Sequence, residues 1–67
     1  MANLMEGLLE QRDRVRDLVK IYEELPGGVG IFGAAIMKQN LKLADEAITT
    51  GDVVKMARAY EELKGHE

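Results

Sequence analysis

Residues 28–33, Gly28-Val29-Gly30-Ile31-Phe32-Gly33, carry the glycine spacing of a dinucleotide-binding loop, G-x-G-x-x-G. In that loop the glycines form a tight turn that brings backbone N–H groups against a pyrophosphate, between a strand and a helix of a βαβ unit. The surrounding chain does not supply that frame: a strongly helical pattern precedes the motif, and no segment reads as a strand. The glycines therefore read as turn formers and as small residues that let two helices approach closely. The helix that follows presents free N–H groups, an anion-binding element in principle. No Lys or Arg lies between Leu25 and Met37 to reinforce it.

Other residues able to do chemistry are sparse. The carboxylates come in pairs, Glu23–Glu24, Asp45–Glu46 and Glu61–Glu62, on helix faces expected to be exposed. A catalytic pair needs an environment that drives its two pKa values apart, and so short a chain has little volume for one. The single histidine, His66, has no second ligand at helical spacing and reads as an inert terminal residue. Ser and Cys are absent, which removes the commonest nucleophiles and any thiolate metal site. The residues point to no enzyme, no cofactor and no metal.

What the chain does possess is an uncharged stretch. Leu25-Pro-Gly-Gly-Val-Gly-Ile-Phe-Gly-Ala-Ala-Ile-Met37 is charge-free in a protein of which 31% is charged. A plain connection between surface helices would be polar, since exposing Val29, Ile31, Phe32, Ile36 and Met37 to water gains nothing. The segment is either the heart of a small core or a contact surface. With 67 residues the chain forms one domain at most, of the size that usually needs a staple, a metal or a second copy. Without Cys or a metal site, oligomerisation is the support that remains.

The net charge of −3 argues against general nucleic-acid binding. Arg12, Arg14 and Arg16 alternate with Asp13 and Asp17, which reads as a solvated, internally paired helix face. Met1-Ala-Asn-Leu-Met-Glu6 has neither the basic nor the apolar region of a signal peptide, and the longest apolar run is about half a membrane span. The expectation is a soluble, cytoplasmic protein with no membrane partner.

The elements that must position these residues are helices. Asn3 with Glu6 three residues on has capping-box spacing, and Leu8, Val15, Tyr22 with Leu4, Leu18, Leu25 form a heptad seam broken by Gln11. Leu9 and Val19 widen that stripe, Gly7 weakens its first turns, and Pro26 ends it. Helix 1 is expected over about residues 4–25, a glycine-rich turn over 26–30 and helix 2 over about 31–49. The latter would turn Phe32, Ile36, Met37, Leu41, Ala44, Ala47 and Ile48 to one side. Its first two turns are apolar on nearly every side, so helix 1 of the same chain can cover only part of them. Gly51 and Asp52 suit a left-handed stop and a new cap, with helix 3 over about 53–64 and an inner stripe of Val53, Met56, Ala57, Tyr60 and Leu63. A kinked continuation of helix 2 through Gly51 is the other reading. Tyr22, Tyr60, Met37 and Met56 read as core, and Met5 as part of an adaptable outer face; the sequence leaves open whether Leu4, Met5 and Leu9 face inward.

Asp45 to Leu63 resembles the helix-turn-helix of a tetratricopeptide unit, but one copy makes no solenoid, and the likeness reads as convergence. Over residues 20–64, Gly-Ile-Phe-Gly-Ala-Ala-Ile-Met, Ala-Asp-Glu-Ala-Ile and Gly-Asp-Val-Val-Lys-Met-Ala-Arg-Ala-Tyr-Glu-Glu-Leu resemble small helical accessory proteins of tailed bacteriophages and prophages. That resemblance implies a host-takeover setting, similar in size to quorum-sensing anti-activator proteins, with the bacterial host cytoplasm as location. It brings no catalytic residues.

The combined expectation is an all-α single domain over residues 1–67, a helical hairpin with a short third helix, assembled as a homodimeric helical bundle. Its dimer or partner interface would comprise Leu18, Tyr22, Leu25, Val29, Ile31, Phe32, Ala35 and Ile36, with Arg12, Arg14 and Arg16 as a charged recognition face. The expected function is binding and modulation of a host protein such as a transcription regulator, defence factor or ATPase. The alternatives are a DNA-binding or transcription-modulating dimer and a phage assembly factor.

Overall fold

A computed structural model describes residues 3–66; Met1 and Ala2, part of the segment read for a signal peptide, and Glu67, the end of the single-domain reading, lie outside them. The described chain is all-α: α1 (Leu4–Glu23), a 3-10 turn (Pro26–Gly28), α2 (Ile31–Thr50) and α3 (Val53–Lys64), with no strand among the described residues.

Local chemistry sets each boundary. The Asn3 side chain accepts the Glu6 N–H at 2.8 Å and starts α1. The helix ends at Glu23, two residues before the expected Leu25, because Leu25 precedes Pro26 and is held extended at φ −64°, ψ 136°. Gly51 ends α2 in the left-handed region at φ 68°, its N–H donating to Ala47. Asp52 then accepts the Val54 and Lys55 N–H groups at 3.0 and 3.2 Å to open α3. Two separate helices result, not one kinked arm.

Each helix packs against the other two. The core is Leu8, Val15 and Val19 from α1, Ala34, Met37, Ala44 and Ala47 from α2, and Met56, Ala59 and Leu63 from α3. Four of these ten are alanines, which bring the helices close but bury little area. Leu4, Met5, Leu18, Tyr22, Leu41, Ile48 and Tyr60 pack around the rim. Met5 is thus partly buried against the core and not on an outer face, as is Leu4; Leu9 is half-buried.

Polar contacts give the helix directions. Lys38 meets Glu23 at 2.6 Å and Arg12 meets Asp45 at 3.6 Å, so α1 and α2 run antiparallel. Gly7 lies under the Tyr60 ring and Arg14 donates to the Leu63 carbonyl at 2.8 Å, so α3 runs parallel to α1. Because α3 lies across both partners, its buried line is Met56–Ala59–Leu63, not the stripe counted from Val53. Val53 is 65% exposed and Ala57 is exposed, while Tyr60 is half-buried.

Candidate interaction surface

The most consequential dimension of the fold is the length of α3. It has 12 residues against 20 in α1 and in α2, so it is shorter by about 12 Å at 1.5 Å per residue. On α1, the side facing α3 is marked by Gly7 and Arg14. Stepping on by seven reaches Ile21, with Leu18 flanking the same line. On α2, Asn40 marks the side facing α3 through its 2.7 Å hydrogen bond to the His66 imidazole. Stepping back by fours reaches Ile36 and Phe32. Among the described residues α3 ends at Lys64, level with Arg14 and Asn40 and short of Ile21, Ile36 and Phe32.

The exposures agree. Phe32 is 85% exposed, Val29 75%, and Ile21, Leu25, Ile31, Ala35 and Ile36 are all exposed. Leu18 and Tyr22 differ from the expectation of an open seam. Both are partly buried within the chain, and the Tyr22 ring covers Gly33. Ile21 was not in the expected interface, since it lies off the heptad seam of α1. The signal that finds it is its seven-residue offset from Arg14, visible only once Arg14 is known to touch α3.

The glycines of the G-x-G-x-x-G segment have packing roles here. Gly28 lies in the 3-10 turn at φ 72° and Gly33 sits beneath Tyr22. Gly30 is dictated by close approach: a β-carbon there would lie 2.1 Å from the Tyr22 carbonyl oxygen. No strand precedes them among the described residues, and a helix N-terminus without a side-chain cap follows.

The arginine face is internally paired in part, with Arg14 and Arg16 exposed and Arg12 half-buried. Arg12 pairs with Asp13 and Asp45 at 3.5 and 3.6 Å and is largely covered, and Arg14 is spent on Gln11 and on the last turn of α3. There its cation also opposes the negative end of the helix. Arg16 remains exposed, 3.8 Å from Asp13. It lines a shallow, open trough with Lys38, Leu41, Lys42, Asp45 and Thr49. A second cleft, between Leu43 and Ala59, measures 220 Å³ and is flanked by Glu46, Lys55, Arg58 and Glu62. That is below the roughly 300–1,000 Å³ of small-molecule sites.

His66 is not inert, since it ties the C-terminal end of α3 to α2 through Asn40. No group of three or more potential metal ligands occurs among the described residues, and no described helix is long and apolar enough to cross a membrane. Comparison with protein-family models, with curated proteins and with solved structures gives no match for this chain.

Proposed function

We propose that this chain is a non-catalytic helical interaction module, a hairpin with a short third helix that is homodimeric at rest and binds another protein so as to alter its activity. The observation that carries the reading is the position of Phe32. A large aromatic side chain at 85% exposure stands among Leu25, Val29, Ile31, Ala35 and Ile36 on a face without charge. Monomeric soluble proteins seldom leave such a patch contiguous and open, and buried aromatic anchors dominate binding energy at interfaces. Self-association keeps the patch covered until a target with a better-matched surface exchanges for one copy. Exposed Arg16, Lys38 and Lys42 orient the approach more than they add affinity.

The resemblance of residues 20–64 to small phage accessory proteins favours a host regulator, defence factor or ATPase as the target class. The DNA-binding alternative loses its main support, since the guanidinium groups of Arg12 and Arg14 bond within the fold. The test is affinity capture from bacterial lysate, with wild type and Phe32→Asp in parallel, followed by assay of any captured protein's activity. The reading expects one or two proteins held by wild type and lost by the variant, with their activity changed stoichiometrically. Capture that is equal for both, or no capture at all, would sink it.

A further inference from the structure

Exposed apolar residues continue along α2 beyond the patch around Phe32. Phe32, Ile36 and Leu43 are exposed at 85, 55 and 50%. With exposed Gln39 between the last two they are spaced four, three and four residues apart, the interval of a heptad seam. The residues that α2 buries in its own chain, Ala34, Met37, Ala44 and Ala47, lie on a different side of the helix. At its far end the seam meets a recess, the 220 Å³ cleft that Leu43 lines together with Ala59 of α3. Phe32 and Leu43 are thus two ends of one line, about 16 Å apart at 1.5 Å per residue.

A helix line with a projecting ring at one end and a cleft at the other is self-complementary when two copies pair antiparallel. That is an isologous contact about a two-fold axis. Resting on the interaction reading above, we infer that α2 pairs antiparallel with α2 of a second copy, and Phe32 of each chain enters the cleft between Leu43 and Ala59 of the other. The axis passes level with Met37 and Lys38. In this register Phe32 meets Leu43 and Ile36 meets Gln39, each pair occurring twice. Ile21 and its acidic neighbours Asp17 and Glu24 take no part in the pairing.

Charge complementarity argues for this occupant. The register brings Glu46 level with Val29 and Gly30 of the other copy, at the N-terminus of its α2. That terminus has no side-chain cap and no acidic residue in its first turn, and a carboxylate is favourable at the positive end of a helix. Glu46 has no ion pair of its own among the described residues. Lys55, Arg58 and Glu62 rim the cleft from α3. What the second copy lays against them is the charge-free run of residues 25–37, and the two cations flank a seated aromatic ring, which attracts them.

Like charges stay apart. Lys42 comes level with Gly33 of the other copy, nine residues from the second Lys42. That is about 14 Å along the helix, more than a Debye length at physiological salt. Lys38 is held on the side of α1 by Glu23 at 2.6 Å. The area is of the right order as well. A standard interface takes about 800 Å² from each partner, roughly a sixth of the 4696 Å² this chain exposes. Phe32 brings most of the roughly 150–250 Å² that an aromatic side chain buries, with Val29, Ile31, Ile36 and Leu43 beside it on α2 and its entry turn.

The test uses two single variants, Phe32→Lys at the projecting end and Leu43→Glu at the cleft. Light scattering reads the molar mass of each and of their equimolar mixture, at a concentration where wild type is dimeric. Each variant alone should associate about 30-fold more weakly or worse. The mixture should recover the dimer, because one of its two end contacts is native and the other sets the introduced amine against the introduced carboxylate. Ile21→Lys, beside the seam on α1, and Val54→Asp, on α3, should both dimerise as wild type does.

A mixture that stays monomeric while both variants remain helical by circular dichroism overturns the inference. So does a Phe32→Lys or Leu43→Glu chain that dimerises normally, or an Ile21→Lys chain that does not dimerise. A monomeric wild type that still captures a target through Phe32 overturns it too, yet leaves the interaction reading standing. A dimer restored in the mixture with no captured target supports the pairing and removes the target.

Discussion

The Tyr22 carbonyl oxygen occupies the space that a side chain at Gly30 would need: a β-carbon at residue 30 would lie 2.1 Å from it. The end of α1 and the start of α2 therefore touch backbone to backbone, and the turn between them is rigidly seated under the exposed apolar face. Gly30→Ala must push these helices apart. A loss of about 2–3 kcal/mol is expected, at the upper end of ordinary overpacking, which lowers the melting temperature by roughly 10–20 °C in a domain this small. Gly7→Ala makes a contrast. Its β-carbon would meet only the Tyr60 ring edge, at 3.2 Å, and removing glycine from a helix interior returns about 1 kcal/mol. Thermal unfolding followed by circular dichroism should show Gly7→Ala near wild type and Gly30→Ala far below it. Equal effects would contradict the packing described for the turn.

The two neighbouring arginines should respond in opposite ways. Arg14 hydrogen-bonds the Leu63 carbonyl at the end of α3. Its removal in Arg14→Met is expected to cost about 1 kcal/mol, with the last turn of α3 fraying first. Arg12 is three-quarters covered, pairs at 3.5 and 3.6 Å, and leaves its Nε buried without a hydrogen-bond partner. Arg12→Met exchanges a poorly satisfied guanidinium for a flexible apolar chain, so it should be neutral or slightly stabilising. Urea midpoints measure both changes, and a larger loss for Arg12 than for Arg14 would reverse the assignment.

Surface and core leucine-sized residues should also separate. Leu63 is fully buried, and Leu63→Ala should cost about 2–5 kcal/mol, enough to unfold so small a domain. Phe32 contributes almost nothing to the monomer core, so Phe32→Asp should leave the dilute chain's intrinsic stability within about 0.5 kcal/mol. What it should remove is the concentration dependence of the melting temperature that the proposed self-association would impose on wild type. A concentration-independent wild-type melt would count against the dimer.

Sequence reading worked where structure is decided by neighbours in the chain. Asn3, Pro26, Gly51 and Asp52 each act on groups within four residues, so the stops and starts of the helices follow from local chemistry. The all-α class follows from the same periodicity. It failed where the answer depends on contacts across the chain. Arg14 reaches a carbonyl 49 residues away, so nothing in the Arg12–Arg16 pattern distinguishes it from a solvated charge. The inner line of α3 turned out to pass through Ala59, because it is set by where α1 and α2 leave room. Ile21 joins the candidate surface only because α3 stops short of it, and helix length measured against distant neighbours is not written in the local pattern. The exposed face of Phe32, by contrast, was legible: an apolar segment with too few partners in its own chain must remain partly uncovered.

Molar mass by light scattering, read for wild type and Phe32→Asp over a range from low micromolar to millimolar, tests the central claim most directly. The account predicts a wild-type mass that rises from 7.4 kDa towards twice that value, and a helical Phe32→Asp that stays at the monomer mass throughout. A wild type that remains monomeric at every concentration, or a Phe32→Asp that associates as wild type does, would contradict the assignment of this face as a self-association surface.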